Sequence, residues 1–298
     1  MSGSQDQLSH WIESRKSLLE LAVERRFQHV RPVSPVLHEA MVYACAGGGK
    51  RMRGLLVLAS AHCLGASEEA ALPAACAIEA MHAYSLIHDD LPCMDDDDLR
   101  RGKPTCHKVY GEALALLAGD ALQTLAFEWL GQADSSESIR FRQMQVLAEA
   151  AGSQGMAGGQ ALDLLNVNKS MTLESLKQMH ACKTGALFKA SVLLGGLSST
   201  AATSEQLQAL TAYAAALGLA FQVVDDILDV ETDTAVLGKT AGKDALANKP
   251  TMVSLLGLES AKHLAKELGE TAQVSLLPLG HSAWVLQGII DQVLKRRS

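Results

Sequence analysis

The stretch 74–105, AACAIEAMHAYSLIHDDLPCMDDDDLRRGKPT, decides how this chain folds. Its first fourteen residues are mostly apolar and read as a buried helix, whereas the next eleven carry six aspartates. Charge runs usually lie on a solvated surface or in a disordered tail. Here the acidic run directly follows a predicted core helix, and neighbouring carboxylates repel one another unless cations lie between them. The stretch therefore predicts a helix that delivers carboxylates to a cation site, with a solvated acidic loop as the alternative.

The composition of the whole chain predicts an all-α fold. The 298 residues are 48% hydrophobic and only 4% aromatic, so alanine and leucine must fill most of the core. The strong helix formers Ala, Leu, Glu, Gln and Lys dominate, and no segment has the convincing apolar alternation of a strand. No repeat or Pro/Gly/Ser-rich linker divides the chain, so we expect residues 1–298 to form a single all-α domain.

Charge and cysteine content narrow the class of function. A net charge of −7 argues against nucleic acid as a partner, because nucleic-acid-binding proteins present basic surfaces. The six cysteines form no C-x-x-C pair and no zinc-type spacing, which predicts small core residues in a reduced, cytoplasmic protein. Residues 206–224 are uncharged and long enough for a membrane span, but five polar side chains interrupt them. We therefore predict a core helix of a soluble bundle and no membrane span.

A second acidic stretch, FQVVDDILDV at 221–230, repeats the pattern of the first. Gln222, Asp225, Asp226 and Asp229 are spaced i, i+3, i+4 and i+7, so on a helix they form one polar stripe on an otherwise apolar surface. Two helices that both end in such carboxylates favour a cavity in which the acids face each other. This arrangement suits Mg²⁺ ions, which keep coordination positions open for substrate phosphates.

Basic residues lie beside both acidic motifs. They form three clusters in the sequence: Lys50, Arg51 and Arg53; Arg100 and Arg101; and Lys239, Lys243 and Lys249. A Walker A loop is excluded because Arg51 stands where Ser or Thr should bind the metal, and an EF-hand is excluded because the required glycine and terminal glutamate are missing. Each basic cluster alone is typical of a solvated surface. Beside metal-binding carboxylates, arginine and lysine suit diphosphate groups, which favours a metal-dependent diphosphate enzyme.

The motifs resemble those of the trans-prenyltransferases, and most closely the bacterial farnesyl diphosphate synthases within that family. DDLPCMDDDDLRRGKPTCH is similar to the family's first aspartate-rich motif with a two-residue insertion, Pro92–Cys93, and FQVVDDILD is similar to the second. GGKRMRG, KTGALF and GKTAGKDALANKPT match further blocks in the expected order. The similarity covers roughly residues 40–255. It implies an isoprenoid-synthase-type helical bundle around a central cavity, generally as a homodimer.

The resemblance also implies a metal site and two substrate sites. Asp89 and Asp95 would bind two Mg²⁺ ions, and Asp225, helped by Asp229, a third. The diphosphate of the allylic substrate would be held by these ions and by four basic residues, Arg100, Lys183, Lys239 and Lys249. Isopentenyl diphosphate would bind without metal, to Lys50, Arg53, His82 and Arg101. On the residues alone, His82 reads as a core histidine with its hydrogen bonds satisfied, and only the resemblance makes it a diphosphate ligand.

The implied reaction is a Mg²⁺-dependent head-to-tail condensation of isopentenyl diphosphate with dimethylallyl or geranyl diphosphate. Catalysis would rest on Lys183, Thr184 and Gln222, which also contact the allylic substrate; Thr184 and Gln222 would lie near the breaking bond. Tyr84 and Ser85 precede Asp89 by five and four residues and would lie deeper along the apolar cavity. An aromatic residue at this position goes with a C15 product in the family, so the resemblance implies farnesyl diphosphate.

Several alternatives stay open. A geranylgeranyl diphosphate synthase, which makes a C20 product, is separated mainly by Tyr84, and that side chain also reads as an ordinary core tyrosine. A catalytically silent regulatory subunit tends to lose one acidic motif, whereas this chain has both. A class I terpene cyclase normally lacks the second motif and the GGKRMR block. The basic C-terminal residues Lys295, Arg296 and Arg297 would close over isopentenyl diphosphate or form a frayed, solvated tail; the tail is the expectation.

Overall fold

The structure, a computed structural model, describes residues 2–231 and 249–296. These residues confirm the all-α prediction, since they are almost entirely helical. The α-helices in chain order are α1 (Ser2–Gln28), α2 (Pro35–Cys45), α3 (Met52–Cys63), α4 (Glu68–Asp89), α5 (Cys106–Tyr110), α6 (Glu112–Gly131), α7 (Glu137–Ala151), α8 (Met156–Leu165), α9 (Leu173–His180), α10 (Ala186–Leu197), α11 (Ser204–Glu231), α12 (Met252–Leu256), α13 (Leu258–Ser275) and α14 (Trp284–Leu294). A π-helical turn covers Ala181–Gly185, and a 3-10 helix covers Leu277–Ala283.

Side-chain caps set the starts of the two helices that lead to the acidic motif and to the KTG block. Ser67 precedes α4, and its hydroxyl accepts a hydrogen bond from the amide of Ala70. Thr172 precedes α9 and accepts from the amide of Ser175 in the same way. Each cap satisfies one of the amide groups that a helix start leaves without an intrahelical partner.

Alanine and leucine fill the core, as the composition predicts. α4 lies at its centre, between α3 and α6, and α10 packs against both α3 and α11. Small residues allow these helices to approach closely: a Cβ at Gly195 of α10 would lie 2.1 Å from the carbonyl oxygen of Val57 in α3. Two of the large aromatic side chains, Phe188 and Tyr213, are fully buried in the core. The result is a tightly packed frame from which α4 and α11 both run to the acidic motifs.

A short antiparallel ribbon follows the acidic loop, where the sequence had indicated no strand. It pairs β1 (Leu99–Arg100) with β2 (Lys103–Pro104). The two turn residues between them, Arg101 and Gly102, both have positive φ angles, 55° and 75°. Two left-handed residues in a two-residue loop are typical of the tight hairpin turn whose twist matches the flanking strands. The turn thus fixes Arg101 at a defined position beside the acidic motif.

Three of the described helices, α4, α6 and α11, are long and apolar enough to cross a membrane by length and composition. α11 contains the uncharged segment 206–224. In the most apolar window of each helix, 67%, 44% and 56% of the residues are buried inside the protein. More than half of this window in α4 and in α11 is therefore buried inside the protein.

All six cysteines are free thiols, and four of them are buried: Cys45, Cys63, Cys76 and Cys106. Cys182 is partly buried and Cys93 is exposed. The prediction of core cysteines is therefore wrong for Cys93. It lies in the loop that follows α4, and its side chain there is exposed.

Candidate active site

The two acidic motifs open onto one cavity of about 500 Å³. Its lining brings together nine of the predicted site residues, Asp89, Asp95, Arg100, Arg101, Lys183, Gln222, Asp225, Asp229 and Lys249. The carboxylates that follow α4 and those on α11 therefore share a cavity, as the paired motifs predict. Lys239 lies outside the described residues.

Asp90 is the internal counter-ion of the first motif. It is 3% exposed, and Arg100 Nε donates to its Oδ1 and Oδ2 at 2.8 and 2.9 Å. A second guanidinium nitrogen, Nη2, donates to Oδ1 at 2.5 Å. A bidentate arginine contact of this kind is among the stronger hydrogen-bonded pairs. Asp90 thus neutralises Arg100, whereas Asp89 and Asp95 line the cavity.

Asp89 has a carboxyl group whose charged form is disfavoured by its surroundings. The pKa of its carboxyl group is raised to about 6, chiefly by burial and also by the neighbouring Asp95 carboxylate, although Lys183 and Arg100 act in the opposite direction. Gln160 on α8 donates a hydrogen bond to Asp89 Oδ1. A carboxylate whose charged form is disfavoured in this way is stabilised when a cation arrives.

Asp163, a residue that the sequence analysis missed, joins the two lysines of the site. Its Oδ2 lies 2.5 Å from Lys183 Nζ and 3.6 Å from Lys249 Nζ, and Lys249 Nζ also donates to Asp95 Oδ1 at 2.9 Å. Burial lowers the pKa of Lys183, but Asp89 and Asp163 outweigh it, so the net pKa is raised and the ammonium stays charged.

A weak signal for this residue was present in the sequence. Gln160 and Asp163 are spaced i, i+3 in the otherwise apolar helix MAGGQALDLL, so both point to one side of α8. A Cβ at the preceding Gly159 would lie 2.1 Å from the amide nitrogen of Lys183. Glycine at this position therefore allows α8 to press against the π-helical turn. The polar pair and the neighbouring glycine together indicate that this side of α8 faces the site.

The π-helical turn presents the predicted catalytic residues. It carries Lys183 and Thr184, and the Thr184 hydroxyl donates to Gln222 Oε1 across the cavity wall at 2.6 Å. Thr184 is 7% exposed, so its side chain is held in place by packing as well as by this bond. Single π-helical turns occur frequently at functional sites, because the extra residue re-aims the side chains around it. This bond joins two residues that are 38 positions apart in the sequence.

The three aspartates of the second motif have three different environments. Asp225 forms an ion pair with Arg296, whose guanidinium lies 4.2 Å from the ring centroid of Phe221. Asp226 accepts a hydrogen bond from the amide of Met252 at 2.7 Å and so anchors the start of α12. Asp229 is 7% exposed, and its Oδ1 has no hydrogen-bond partner within the described ranges.

The two described C-terminal residues, Lys295 and Arg296, differ: one is solvated and the other is packed against the protein. Arg296 lies against the second motif with only 13% of its side chain exposed, so the prediction of a solvated tail is wrong for this residue. The aromatic face of Phe221 and the charge of Asp225 hold it there. Lys295 is exposed and pairs with Asp291 at 2.8 Å, as a solvated residue would. Arg297 lies outside the described residues.

His180 is a second residue that the sequence analysis missed. It lines the cavity, is 5% exposed, and neither ring nitrogen has a hydrogen-bond partner among the residues described. Its Nε2 lies 3.9 Å from Asp226 Oδ2, too far for a direct hydrogen bond. Burial lowers its pKa to about 4, so the ring is neutral at pH 7. A lone histidine in the sequence gave no pattern that would have singled it out.

The residues predicted to bind isopentenyl diphosphate lie around the start of α3. Arg53 Nη1 lies 3.0 Å from His82 Nε2, and burial with the nearby arginines lowers the pKa of His82 well below its usual value. Arg101 Nη1 donates to the carbonyl of Gly48 at 2.6 Å. Lys50 lines a neighbouring cavity of about 890 Å³ together with Arg296. The three predicted cations and His82 thus lie around the start of α3, and Lys50 lines the neighbouring cavity.

Tyr84 and Ser85 lie on α4, deeper in the bundle than Asp89. The Tyr84 ring is perpendicular to that of His88, with centroids 5.1 Å apart, and its hydroxyl bonds to Gln123. The Ser85 hydroxyl donates to the carbonyl of His82 at 2.8 Å. Within the described residues, neither side chain lines the cavity of about 500 Å³. Tyr84 is partly buried and packs against the hydrophobic core.

The donor set fits Mg²⁺ better than a metal held by protein ligands alone. Among residues 2–231 and 249–296, no three His, Cys, Asp or Glu side chains converge closely enough to hold an ion by themselves. Mg²⁺ is usually bound by one or two carboxylates and completes its coordination with water and substrate phosphates. The buried Asp229 oxygen without a partner and the raised pKa of Asp89 are both relieved by a cation.

Comparison with known proteins identifies the family. Residues 34–275 match the family model for polyprenyl synthetase. The chain is 49% identical over 269 residues to farnesyl diphosphate synthase of Escherichia coli strain K12, covering 88% of this chain and 90% of that one. It is 47% identical over 275 residues to the heterodimeric geranylgeranyl pyrophosphate synthase large subunit 1, chloroplastic, of Arabidopsis thaliana, covering 90% and 73% of the two chains.

A solved structure extends the likeness to the fold. Geranyltransferase from Helicobacter pylori, complexed with magnesium and isoprenyl diphosphate, matches 93% of this chain and 95% of its own, with a TM-score of 0.80 and 36% sequence identity. The family match spans both acidic motifs and the blocks between them. The chain belongs to the polyprenyl synthetase family.

Proposed function

We propose that this protein is a magnesium-dependent farnesyl diphosphate synthase. It joins isopentenyl diphosphate to dimethylallyl or geranyl diphosphate and releases diphosphate. The observation that carries the proposal is the single cavity into which the acidic ends of α4 and α11 both open, with Lys183 and Lys249 between them. Carboxylates for metal and ammonium groups for phosphate are the two requirements of an allylic diphosphate site.

Asp89 and Asp95 would hold two Mg²⁺ ions, and Asp225 with Asp229 a third. When bound, the metal neutralises the diphosphate leaving group. Lys183 and Lys249 add ammonium groups to the same diphosphate, and Arg100 lines the cavity beside them. Lys239 is assigned to this site by family resemblance alone. The presence of magnesium with an isoprenyl diphosphate in the Helicobacter pylori relative supports the assignment.

The reaction needs charge stabilisation and the exclusion of water. The allylic C–O bond breaks and its electron pair leaves with the diphosphate, which the cationic side chains stabilise. The double bond of isopentenyl diphosphate supplies the electrons of the new C–C bond, and the released diphosphate accepts the proton that is lost. Thr184 and Gln222, held together by their hydrogen bond, present polar groups to the positive charge at the reacting carbon. A buried site protects that carbon from water.

Isopentenyl diphosphate would bind to Lys50, Arg53, His82 and Arg101. Three cations around the start of α3 suit a diphosphate that binds without metal. His82 is neutral, because burial and the adjacent Arg53 lower its pKa, so it contributes a hydrogen bond rather than a charge. Tyr84 would block the growing chain at C15, supported by Ser85.

The domain organisation, location and oligomeric state of the enzyme are inferred from the same family resemblance. We infer one domain over residues 1–298, a cytoplasmic location, and neither a membrane span nor nucleic acid as a partner. A homodimer would cover the exposed apolar side of α6, where Leu116 and Leu117 are 47% and 51% exposed. Such a contact would bury more of α6, which is the least buried of the three described helices of membrane-spanning length.

A product assay tests the proposal. The purified protein is incubated with isopentenyl and geranyl diphosphates, with Mg²⁺ or with EDTA, and the prenyl product is sized by chromatography. A metal-dependent C15 product is expected. A C20 product would favour a geranylgeranyl diphosphate synthase, the function named for the Arabidopsis relative that is 47% identical to this chain. No condensation under any condition would reject the enzyme and favour a silent regulatory subunit.

A further inference from the structure

Arg51 does not join its neighbours in the site. It lies between Lys50 and Arg53 in the sequence, yet its side chain is only 3% exposed and points into the protein. Its Nη1 donates to Glu79 Oε2 at 3.3 Å, while Nε and Nη2 have no hydrogen-bond partner in the parts of the chain described. The side chain of Glu79 is 4% exposed. Arg51 and Glu79 are therefore a buried pair directly beneath the predicted isopentenyl diphosphate site.

Glu79 also caps the helix that carries Arg53. Its Oε1 accepts a hydrogen bond from the amide of Gly54, the third residue of α3, at 2.8 Å. The residue before α3 is Arg51, which makes no side-chain cap of its own and has a left-handed φ of 51°. The first amide groups of a helix need outside acceptors. Glu79, from α4, supplies what the local sequence of α3 lacks.

The close approach that this contact needs is built into the sequence. A Cβ at position 54 would lie 3.2 Å from Glu79 Cγ and 2.3 Å from Leu19 Cδ2. Glycine at position 54 therefore lets α4 and α1 press against the start of α3. One turn further along α4, His82 contacts Arg53 at 3.0 Å. Two side chains of α4, Glu79 and His82, thus hold the first turn of α3 at two points.

We propose that Glu79 is a positioning residue for isopentenyl diphosphate binding. Through Arg51 and the Gly54 amide, it fixes the left-handed turn and the helix start that aim Lys50 and Arg53. Glu79 need not touch the substrate; it acts through the two cations on either side of Arg51. The inference rests on the proposed function, because it takes Lys50 and Arg53 as the groups that bind this diphosphate. Its charge also supports that of Arg53: burial is the main cause that lowers the pKa of Arg53 to about 10, and Glu79 opposes that shift.

Glu79→Gln tests the proposal with Gln143→Leu as the matched control. Gln keeps the acceptor for Gly54 but presents an amide donor or a neutral oxygen to Arg51. Gln143 is equally buried, 3% exposed, and donates to the Leu194 carbonyl at 3.1 Å, away from the site. We expect Glu79→Gln to raise the KM for isopentenyl diphosphate about tenfold, with the KM for geranyl diphosphate unchanged within about twofold. Gln143→Leu should lower the melting temperature and leave both KM values unchanged.

A rescue experiment separates positioning from simple loss of stability. The double variant Arg51→Gln/Glu79→Gln replaces the ion pair by two amides that can bond to each other, and should regain most of the lost affinity for isopentenyl diphosphate. If Glu79→Gln does not fold, Glu79→Asp keeps the charge and withdraws the carboxylate by one methylene. It should raise the same KM about fivefold.

The outcomes distinguish this inference from the proposed function. Wild-type protein that condenses the substrates, together with a Glu79→Gln variant that melts lower but keeps the wild-type KM for isopentenyl diphosphate, would overturn the positioning role alone. Equal rises in both KM values would overturn it too, since they indicate general disorder. Wild-type protein that forms no product and binds no isopentenyl diphosphate in calorimetry would reject the proposed function and this inference together.

Discussion

The ammonium nitrogen of Lys183 lies 2.5 Å from a carboxylate oxygen of Asp163. The same oxygen is 3.6 Å from Lys249, which also contacts Asp95 at 2.9 Å. One carboxylate therefore shares two lysines with the carboxylates proposed to bind metal. How the lysines divide between these acids determines how much negative charge is left for Mg²⁺.

Removing Asp163 should make the enzyme more demanding for Mg²⁺. In Asp163→Ala, Lys183 and Lys249 lose their shared counter-ion and pair more fully with Asp89 and Asp95. Mg²⁺ must then compete with these two lysines for the same carboxylates. We expect the Mg²⁺ concentration for half-maximal activity to rise about fivefold or more, measured by titrating activity with Mg²⁺. Asp120→Ala, on the exposed side of α6, is the control. An unchanged Mg²⁺ curve in Asp163→Ala would contradict the sharing.

The proposed metal ligands should be essential for turnover and dispensable for the fold. Asp89→Ala and Asp225→Ala are expected to cut the turnover number by orders of magnitude, because the leaving group loses its neutralising ions. Circular dichroism should remain helical in both. Asp98→Ala is the matched control in the same acidic loop, since this exposed side chain pairs with Lys108 at 2.7 Å. Near-normal turnover in both ligand variants would remove the metal assignment.

Tyr84 should limit the length of the product. Tyr84→Ala removes the ring that is proposed to block the growing chain, so products longer than C15 should appear when they are sized by chromatography. Tyr84→Phe loses the hydroxyl bond to Gln123 but keeps the ring, and should still stop at C15. A C15 product from Tyr84→Ala would show that the chain is stopped elsewhere and that Tyr84 is simply a core tyrosine.

Asp89 should cost stability when no metal is bound. Its pKa in the folded protein, about 6, is higher than the ordinary value of 3.8, so the folded state binds this proton more tightly than the unfolded state. The contribution of the group to the free energy of unfolding therefore falls as pH rises from about 4 to 6 and stays low above that range.

The measurement is thermal unfolding of Asp89→Asn beside the wild type in EDTA. At pH 8 the variant should melt higher, by roughly 3 °C for each kcal/mol of relieved charge. Near pH 3 the two proteins should differ little, because Asp89 is then largely protonated in both states. A variant that melts lower than the wild type at pH 8 would show that the charged carboxylate is stabilising.

The sequence predicted the parts of the site that repeat a pattern. The helical spacing of the second motif and the position of Asp89 at the end of α4 predicted carboxylates that face one cavity, and Asp89, Asp225 and Asp229 line it, because the period of a helix decides which residues share a face. Asp95, in the loop after α4, was assigned by family resemblance. The KTG block and Gln222 were assigned to the site by family resemblance, and a hydrogen bond joins Thr184 to Gln222 in the structure.

What the sequence did not reveal depends on contacts between distant segments. Asp163 and His180 are single polar residues whose role appears only when α8 and α9 pack beside the π-helical turn. Arg51 looked like one member of a basic cluster, and only the buried Glu79, 28 residues away, shows that it belongs to the interior. Arg296 was expected in a solvated tail, and tertiary contacts with Phe221 and Asp225 override that expectation.

The left-handed conformation of Arg101 has a consequence for anyone who wishes to engineer this enzyme for heat resistance. A side chain at a φ of 55° costs about 1–2 kcal/mol, and glycine at the same position would not incur that cost. A screen for thermal tolerance would therefore favour Arg101→Gly, and the surviving variants would lose a guanidinium from the proposed diphosphate site. Selection for heat resistance alone would then enrich inactive protein, so position 101 should be held fixed in such a library.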